Sequence, residues 1–120
     1  MASGTVKRTG IQSSLLWTNS DATQSFSAQT IPLNLTDFDA VLVGFCVNTS
    51  YSTRVSSQIV LKNGHESDLS NVLTGGTTVR NRGVTVSDSG VTFSAGYQNG
   101  SSNNTASIPR WIWGIKGIPL

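Results

Sequence analysis

The chain has 120 residues, enough for one domain, and its 37% hydrophobic content supports one modest core rather than two. Only 12% of positions are charged, and eight Lys/Arg against six Asp/Glu leave a net charge of +2. The basic residues are scattered, with no stripe and no nucleic-acid motif, which argues against DNA or RNA as a partner. Ser, Thr, Asn and Gly together fill 53 of the 120 positions. Such a surface is wetted by hydroxyls and amides instead of charge, which suits β structure. Nine aromatics and several dense apolar runs argue against disorder. Cys46 stands alone, so no intrachain disulfide and no CxxC pair can form, and it reads as a small buried hydrophobe.

In chain order, residues 1–10 (MASGTVKRTG) show no apolar period and read as a flexible lead, with the domain expected over 11–120. Leu15, Leu16 and Trp17 make a short apolar strand. The stretch 21–35 alternates loosely, with Phe26, Ala28 and Ile31 as expected core contacts, and Pro32 confines it to an edge or a strand end. Residues 40–47 (AVLVGFCV) form the densest β-branched run and predict a central strand buried on both faces. A polar turn follows, then a strand ended by Asn63-Gly64. Leu69, Val72 and Leu73 stand at i, i+3 and i+4, so 65–76 is expected to hold one helical turn or an irregular crossing. "VTVS" and "VTFS" flank "DSG" and predict a hairpin with Val84 and Val86 facing Val91 and Phe93. A Pro-started strand, "IPRWIWGIKGI", closes the chain after a Gly/Ser/Asn loop. Short strands with frequent turn signals and no internal repeat predict an all-β sandwich, jelly-roll-like in outline.

Catalytic and metal chemistry find little purchase. His65 is the only histidine and sits beside a turn, where it reads as solvated. One His, one Cys and six carboxylates offer no recognisable ligand spacing. Asp37 and Asp39 could share a calcium but are more simply turn residues before a strand. Glu66 and Asp68 are the nearest approach to a hydrolytic carboxylate pair, without an evident cleft. No enzyme activity, metal or cofactor is expected. The sequons at Asn34, Asn48, Asn99 and Asn103 are expected by chance in so Asn- and Ser-rich a chain. Arg80 and Arg82 read first as a solvated strand face; set near Arg54 or Lys62, they could recognise a phosphate or carboxylate.

Period two in the closing strand puts Trp111, Trp113 and Ile115 on one side and Ile112 on the other. A strand with bulky apolar groups on both sides lies central in a sandwich or turns its second face to another chain.

The run from Gly90 to Phe93, the polar loop Tyr97–Thr105, Pro109 and the closing Ile112-Trp113-Gly114-Ile115-Lys116 resemble the C-terminal ends of tail-fibre and receptor-binding proteins of siphophages and prophages of Gram-positive bacteria. The upstream "IPLNLTDFDAVLV" is similar to the same family's pattern before a buried strand, so the resemblance spans roughly residues 30 to 117. Trp113 stands where the family commonly has Tyr. The resemblance implies a homotrimeric β-sandwich head at a virion tail tip, binding host-surface polysaccharide or teichoic acid without cutting it. No signal peptide and no apolar run of membrane-spanning length appear, so membrane insertion is not expected and release with the virion is. On that footing Tyr51, Tyr97, Gln98, Asn99, Asn103 and Asn104 are the expected saccharide contacts, with Arg80 and Arg82 as a second patch. Trp111, Ile112, Trp113 and Ile115 are expected in the core or an oligomer interface. The alternative is a structural decoration or assembly protein whose polar loops contact other subunits.

Overall fold

A computed structural model describes residues 10–73 and 75–118. The expected lead over 1–10 therefore lies, except for Gly10, outside the described residues. Nine strands follow in order: β1 (Gln12–Thr18), β2 (Gln29–Pro32), β3 (Ala40–Asn48), β4 (Val55–Leu61), β5 (Ser67–Asn71), β6 (Arg80–Ser87), β7 (Gly90–Gln98), β8 (Ser101–Ser102) and β9 (Ala106–Lys116). A single 3-10 turn, Thr49–Tyr51, interrupts them. The protein is an antiparallel β-sandwich. The first sheet has the order β1-β9-β3-β4 and the second β2-β7-β6-β5, with short β8 added alongside β7.

The expected hairpin is β6–β7, with Val84 opposite Phe93 and Val86 opposite Val91. All four side chains are buried between the sheets. Gly90 closes its turn where a Cβ would stand 2.3 Å from the Ile31 carbonyl oxygen, so no larger residue fits there. The core also takes Val41, Val43 and Phe45 from β3, Ile108 and Ile112 from β9, and Leu69 from β5. Trp17, Phe26 and Phe93 meet as an aromatic trio with ring centroids 5.6–6.5 Å apart, Phe26 edge-on to both neighbours. The two buried rings, Phe26 and Phe93, each contribute on the order of 1.5–3 kcal/mol by apolar burial, and half-buried Trp17 contributes less.

Two expectations are corrected. The 65–76 stretch contains a strand, β5, not a helical turn: Leu69 is fully buried whereas Val72 is 48% exposed, so the two do not share a face. Alternation of Ser, Asp, Leu and Ser on an edge strand prevailed over a chance i, i+3 spacing. Ala28 is exposed, and Ala22 is the alanine that enters the core. The chain between β1 and β2 is irregular there, held by the Phe26 N–H donating to the Asn104 carbonyl.

The register places the loops in two groups. Gln12 pairs with Lys116 at one end, beside the 33–39, 62–66 and 88–89 turns. Asn48 pairs with Ala106 and Arg80 with Gln98 at the other. That second end gathers the β1–β2, β3–β4, β5–β6 and β7–β9 connections, opposite the start of β1 and the end of β9.

Candidate functional site

All eight expected saccharide contacts lie on or just behind this second end, but folding has already engaged most of their polar atoms. The 97–105 loop is a bonded structure. Asn99 (φ 49°) and Gly100 (φ 84°) both adopt left-handed backbone, the signature of a tight hairpin turn joining β7 to β8. The Asn99 N–H donates to the Val79 carbonyl, and its Oδ1 accepts from the Val79 N–H, both at 2.9 Å. Asn103 Oδ1 accepts from the Thr105 N–H and hydroxyl in a local turn. Asn104 Oδ1 accepts from the Gly96 N–H at 3.1 Å. Gln98 Oε1 takes Arg80 Nε and Asn103 Nδ2, each at 3.3 Å. Asn99, Asn103 and Asn104 are thus turn-forming residues first, with their acceptor oxygens turned to the backbone.

Arg82 is corrected outright: it is fully buried and cannot reach a surface ligand. Its Nε donates to the Ser107 carbonyl (2.9 Å), Nη1 to Ser94 (2.8 Å), and Nη2 to Ala106 (3.0 Å) and Asn104 (3.3 Å). The guanidinium also lies 5.3 Å from the centre of the Phe26 ring. Burial pushes it down to about 10, so it stays charged at neutral pH. Carbonyl dipoles, not a carboxylate, surround this cation, and in return it pins the chain from 104 to 107 against β7. Gly96 is required beside it, since a Cβ would come within 2.4 Å of the Asn103 carbonyl oxygen and 2.8 Å of Arg82 Nη2. An Arg between alternating small residues gives no sequence sign of facing inward, because alternation marks two faces without saying which is wet.

What stays open at this end is aromatic and cationic. Tyr51 is 38% and Tyr97 37% exposed, and neither phenol hydroxyl hydrogen-bonds to any described residue. Asn48 positions Tyr51 by accepting from the Ser50 and Tyr51 N–H groups, which caps the 3-10 turn. Tyr97 lies in a row across the second sheet, Ser70–Asn81–Tyr97–Ser102. Arg54 stacks on Tyr51, its guanidinium carbon 5.2 Å from the ring centre. Arg80 and Arg110 come from strands of different sheets, β6 and β9, and Arg110 donates to the Ser52 carbonyl. The sole ion pair among the described residues, Lys62–Asp88 at 2.7 Å, is at the opposite end, so Lys62 does not join the arginines.

Between the edge strands β4 and β5 the sandwich opens into a groove of about 290 Å³, lined by Val47, Arg54, Val55, Ser56, Asn71, Val72 and Leu73. Asn71 Nδ2 donates to Ser56 Oγ across its mouth at 3.4 Å. Asn71 is the Cα partner of Arg80, which sets the groove one strand from that arginine. In the sequence Arg54 appears only as a neighbour for Arg80 and Arg82, and Ser56 and Asn71 are indistinguishable from 44 other Ser, Thr, Asn and Gln residues. Glu66 and Asp68 sit on the open face of the second sheet, Glu66 over Gly83 and Asp68 accepting from Asn81 Nδ2.

The residues expected in the core or an interface divide by side. Ile112 is fully buried inward. Trp111 and Trp113, half-buried, point outward from the first sheet, Trp111 lying across Gly44, whose missing Cβ would meet the indole at 2.3 Å, whereas Ile115 is buried. No family model, curated protein or solved structure matches the chain.

Proposed function

We propose that this protein is a non-catalytic receptor-binding head of the tail-fibre type, carried on a virion, that binds host cell-surface polysaccharide or teichoic acid. The observation that carries this reading is the end of the sandwich farthest from the start of β1 and the end of β9. There, exposed Tyr51 stands beside Arg54, Arg110 donates to the Ser52 carbonyl of the same turn, Arg80 bonds Gln98 at the end of the second sheet, and exposed Tyr97 opens onto that sheet's outer side. Aromatic rings take the apolar face of a sugar and phenols or guanidinium groups take its oxygens. The bonded loop and the buried Arg82 keep this surface from having to order itself on binding, which lowers the entropic cost.

The head would work as a homotrimer, and the outward face of the first sheet is where copies would meet. Three rows of four residues cross it: Ser13–Ile115–Ala40–Leu61, Leu15–Trp113–Leu42–Ile59 and Thr18–Trp111–Gly44–Ser57. None of these positions is charged, so identical faces do not repel. The exposed apolar part is the middle row, with Leu15 52% and Ile59 53% exposed at its ends and half-buried Trp113 and Leu42 between them, and Leu61 beside it is 40% exposed. This face also favours a second reading, an assembly protein that contacts only other virion subunits.

One experiment separates the two. Fluorescently labelled protein is mixed with Gram-positive cells and with their extracted wall polymers, and its mass is followed by light scattering on dilution. Saturable binding to cells and to the polymer by a stable trimer is expected. Association without polymer binding would overturn the receptor-binding reading in favour of assembly, and a stable monomer would remove the trimeric head.

A further inference from the structure

We infer that the groove between β4 and β5 is a subsite for one negatively charged sugar or polyol unit, bound through its carboxylate or phosphate by Arg54. The inference rests on the saccharide-binding reading and names the part of the polymer this groove would select.

Three observations converge on it. The first is size: about 290 Å³ lies at the small end of the roughly 300–1,000 Å³ usual for small-molecule sites, which suits one ring or one polyol phosphate. The second is lining. Val47, Val55, Val72 and Leu73 give an apolar wall for C–H groups, and Val72 keeps 48% of its surface in water. Ser56 and Asn71 stand opposite; their mutual bond leaves Asn71 Oδ1 and the Ser56 hydroxyl proton for ligand hydroxyls. The third is charge. Arg54 is exposed, has no carboxylate within ion-pair range among the described residues, and donates no side-chain hydrogen bond to them. Contact with the Tyr51 ring, 5.2 Å from the guanidinium carbon to the ring centre, restrains the side chain and leaves its N–H donors free to grip an oxyanion with two parallel bonds. An arginine held in place but unpaired, at the lip of a cavity with an apolar wall and two amide or hydroxyl partners, is complementary to an anion carrying hydroxyl groups.

The test is a titration of the intact, isotope-labelled protein followed by NMR, with sodium glucuronate, glycerol 3-phosphate and glucose as separate probes. Both anions are expected to shift the Arg54 Nε–H and Asn71 side-chain amide signals saturably, and glucose to leave them in place. Whichever anion binds more tightly identifies the source, a uronate-bearing or a phosphate-bearing polymer. Arg54→Gln is expected to weaken the preferred anion at least ten-fold, and Asn71→Asp to do the same by repulsion. Lys116→Gln, which removes one positive charge at the opposite end, should leave it within two-fold. Absence of saturable shifts with either anion, or equal weakening by Lys116→Gln, overturns the subsite. Wild-type and Arg54→Gln protein binding cells equally well would also overturn it while leaving the saccharide reading intact. Anions that bind the groove of a protein that ignores cells would uphold the subsite and sink the reading.

Discussion

The two sheets share one core but differ on the sides turned away from it. Outside the second sheet stand Thr30, Thr92 and Thr85 in one row and Ser70, Asn81, Tyr97 and Ser102 in another. Outside the first stand Leu15, Trp113, Leu42 and Ile59. Inside, the contrast reverses. The first sheet presents apolar side chains to the core, whereas the second brings in Arg82, among the described residues the one charged group that is fully buried. The first sheet therefore relies on apolar contact on both sides. The second relies on hydrogen bonds, with Thr30 and Thr92 hydroxyls 2.9 Å apart outside and four carbonyls around a guanidinium inside. In an antiparallel sandwich an outward face is free to be polar, so a face that stays apolar needs a reason, and association is the physical one.

The largest effect should come from the second sheet's interior. Arg82→Leu removes the partner of the Ser94, Asn104, Ala106 and Ser107 carbonyls while nothing nearby can replace it. Each buried carbonyl left unsatisfied costs about 1–3 kcal/mol, so a loss of at least ~4 kcal/mol in urea unfolding, or failure to fold, is expected. Arg82→Lys, with three donors for four carbonyls, should fall between. A Leu variant as stable as the native protein would show that apolar packing, not hydrogen bonding, holds the second sheet too.

The contrast between the faces was largely legible in the sequence, and the contrast between the interiors was not. Hydroxyls alternating with Val and Phe in 84–94 announce a hairpin with one wet side, and Trp111, Trp113 and Ile115 opposite Ile112 announce a strand with no wet side. Which covering the second side receives depends on neighbours that a single strand does not name: β9 is central in its sheet, yet among the described residues no further sheet packs over its tryptophans. Arg82 was misread because charge is the usual mark of a surface, and its compensation comes from backbone carbonyls, which every sequence has and none displays. Asn99-Gly100 carries the same turn signal as Asn63-Gly64, but within a Ser- and Asn-rich run it looked like loose chain. The groove was hidden for another reason: Ser56 and Asn71 come from edge strands of different sheets and Arg54 from the turn before β4, and the three meet only at the sandwich edge.

The intermediate effect belongs to the first sheet's outer face. Leu15→Lys and Ile59→Lys place charge at positions already 52% and 53% exposed, so folding stability should change by no more than about 0.5 kcal/mol. Light scattering should nevertheless show either variant dissociating at concentrations where the native protein stays assembled, because a buried unpaired ammonium has no partner on an uncharged face. Unchanged mass in both variants would mean that the face is not where copies meet.

The smallest effect tests whether outward apolarity alone is enough. Thr85→Val with Thr92→Val makes most of one outward row of the second sheet apolar and removes the Thr30–Thr92 hydroxyl contact. The valines keep the β-branched shape and the lost hydrogen bond is exposed, so stability should stay within about 0.5 kcal/mol. Association should not appear either. Two methyl-for-hydroxyl changes leave the neighbouring Asn81, Asp68 and Glu66 in place, and these polar groups would lose water in any face-to-face contact without gaining partners. If the double variant did associate, hydroxyls alone would be what keeps the second sheet solvated. The tryptophans of the first sheet would then owe their role to being apolar, not to the shape they make over Gly44.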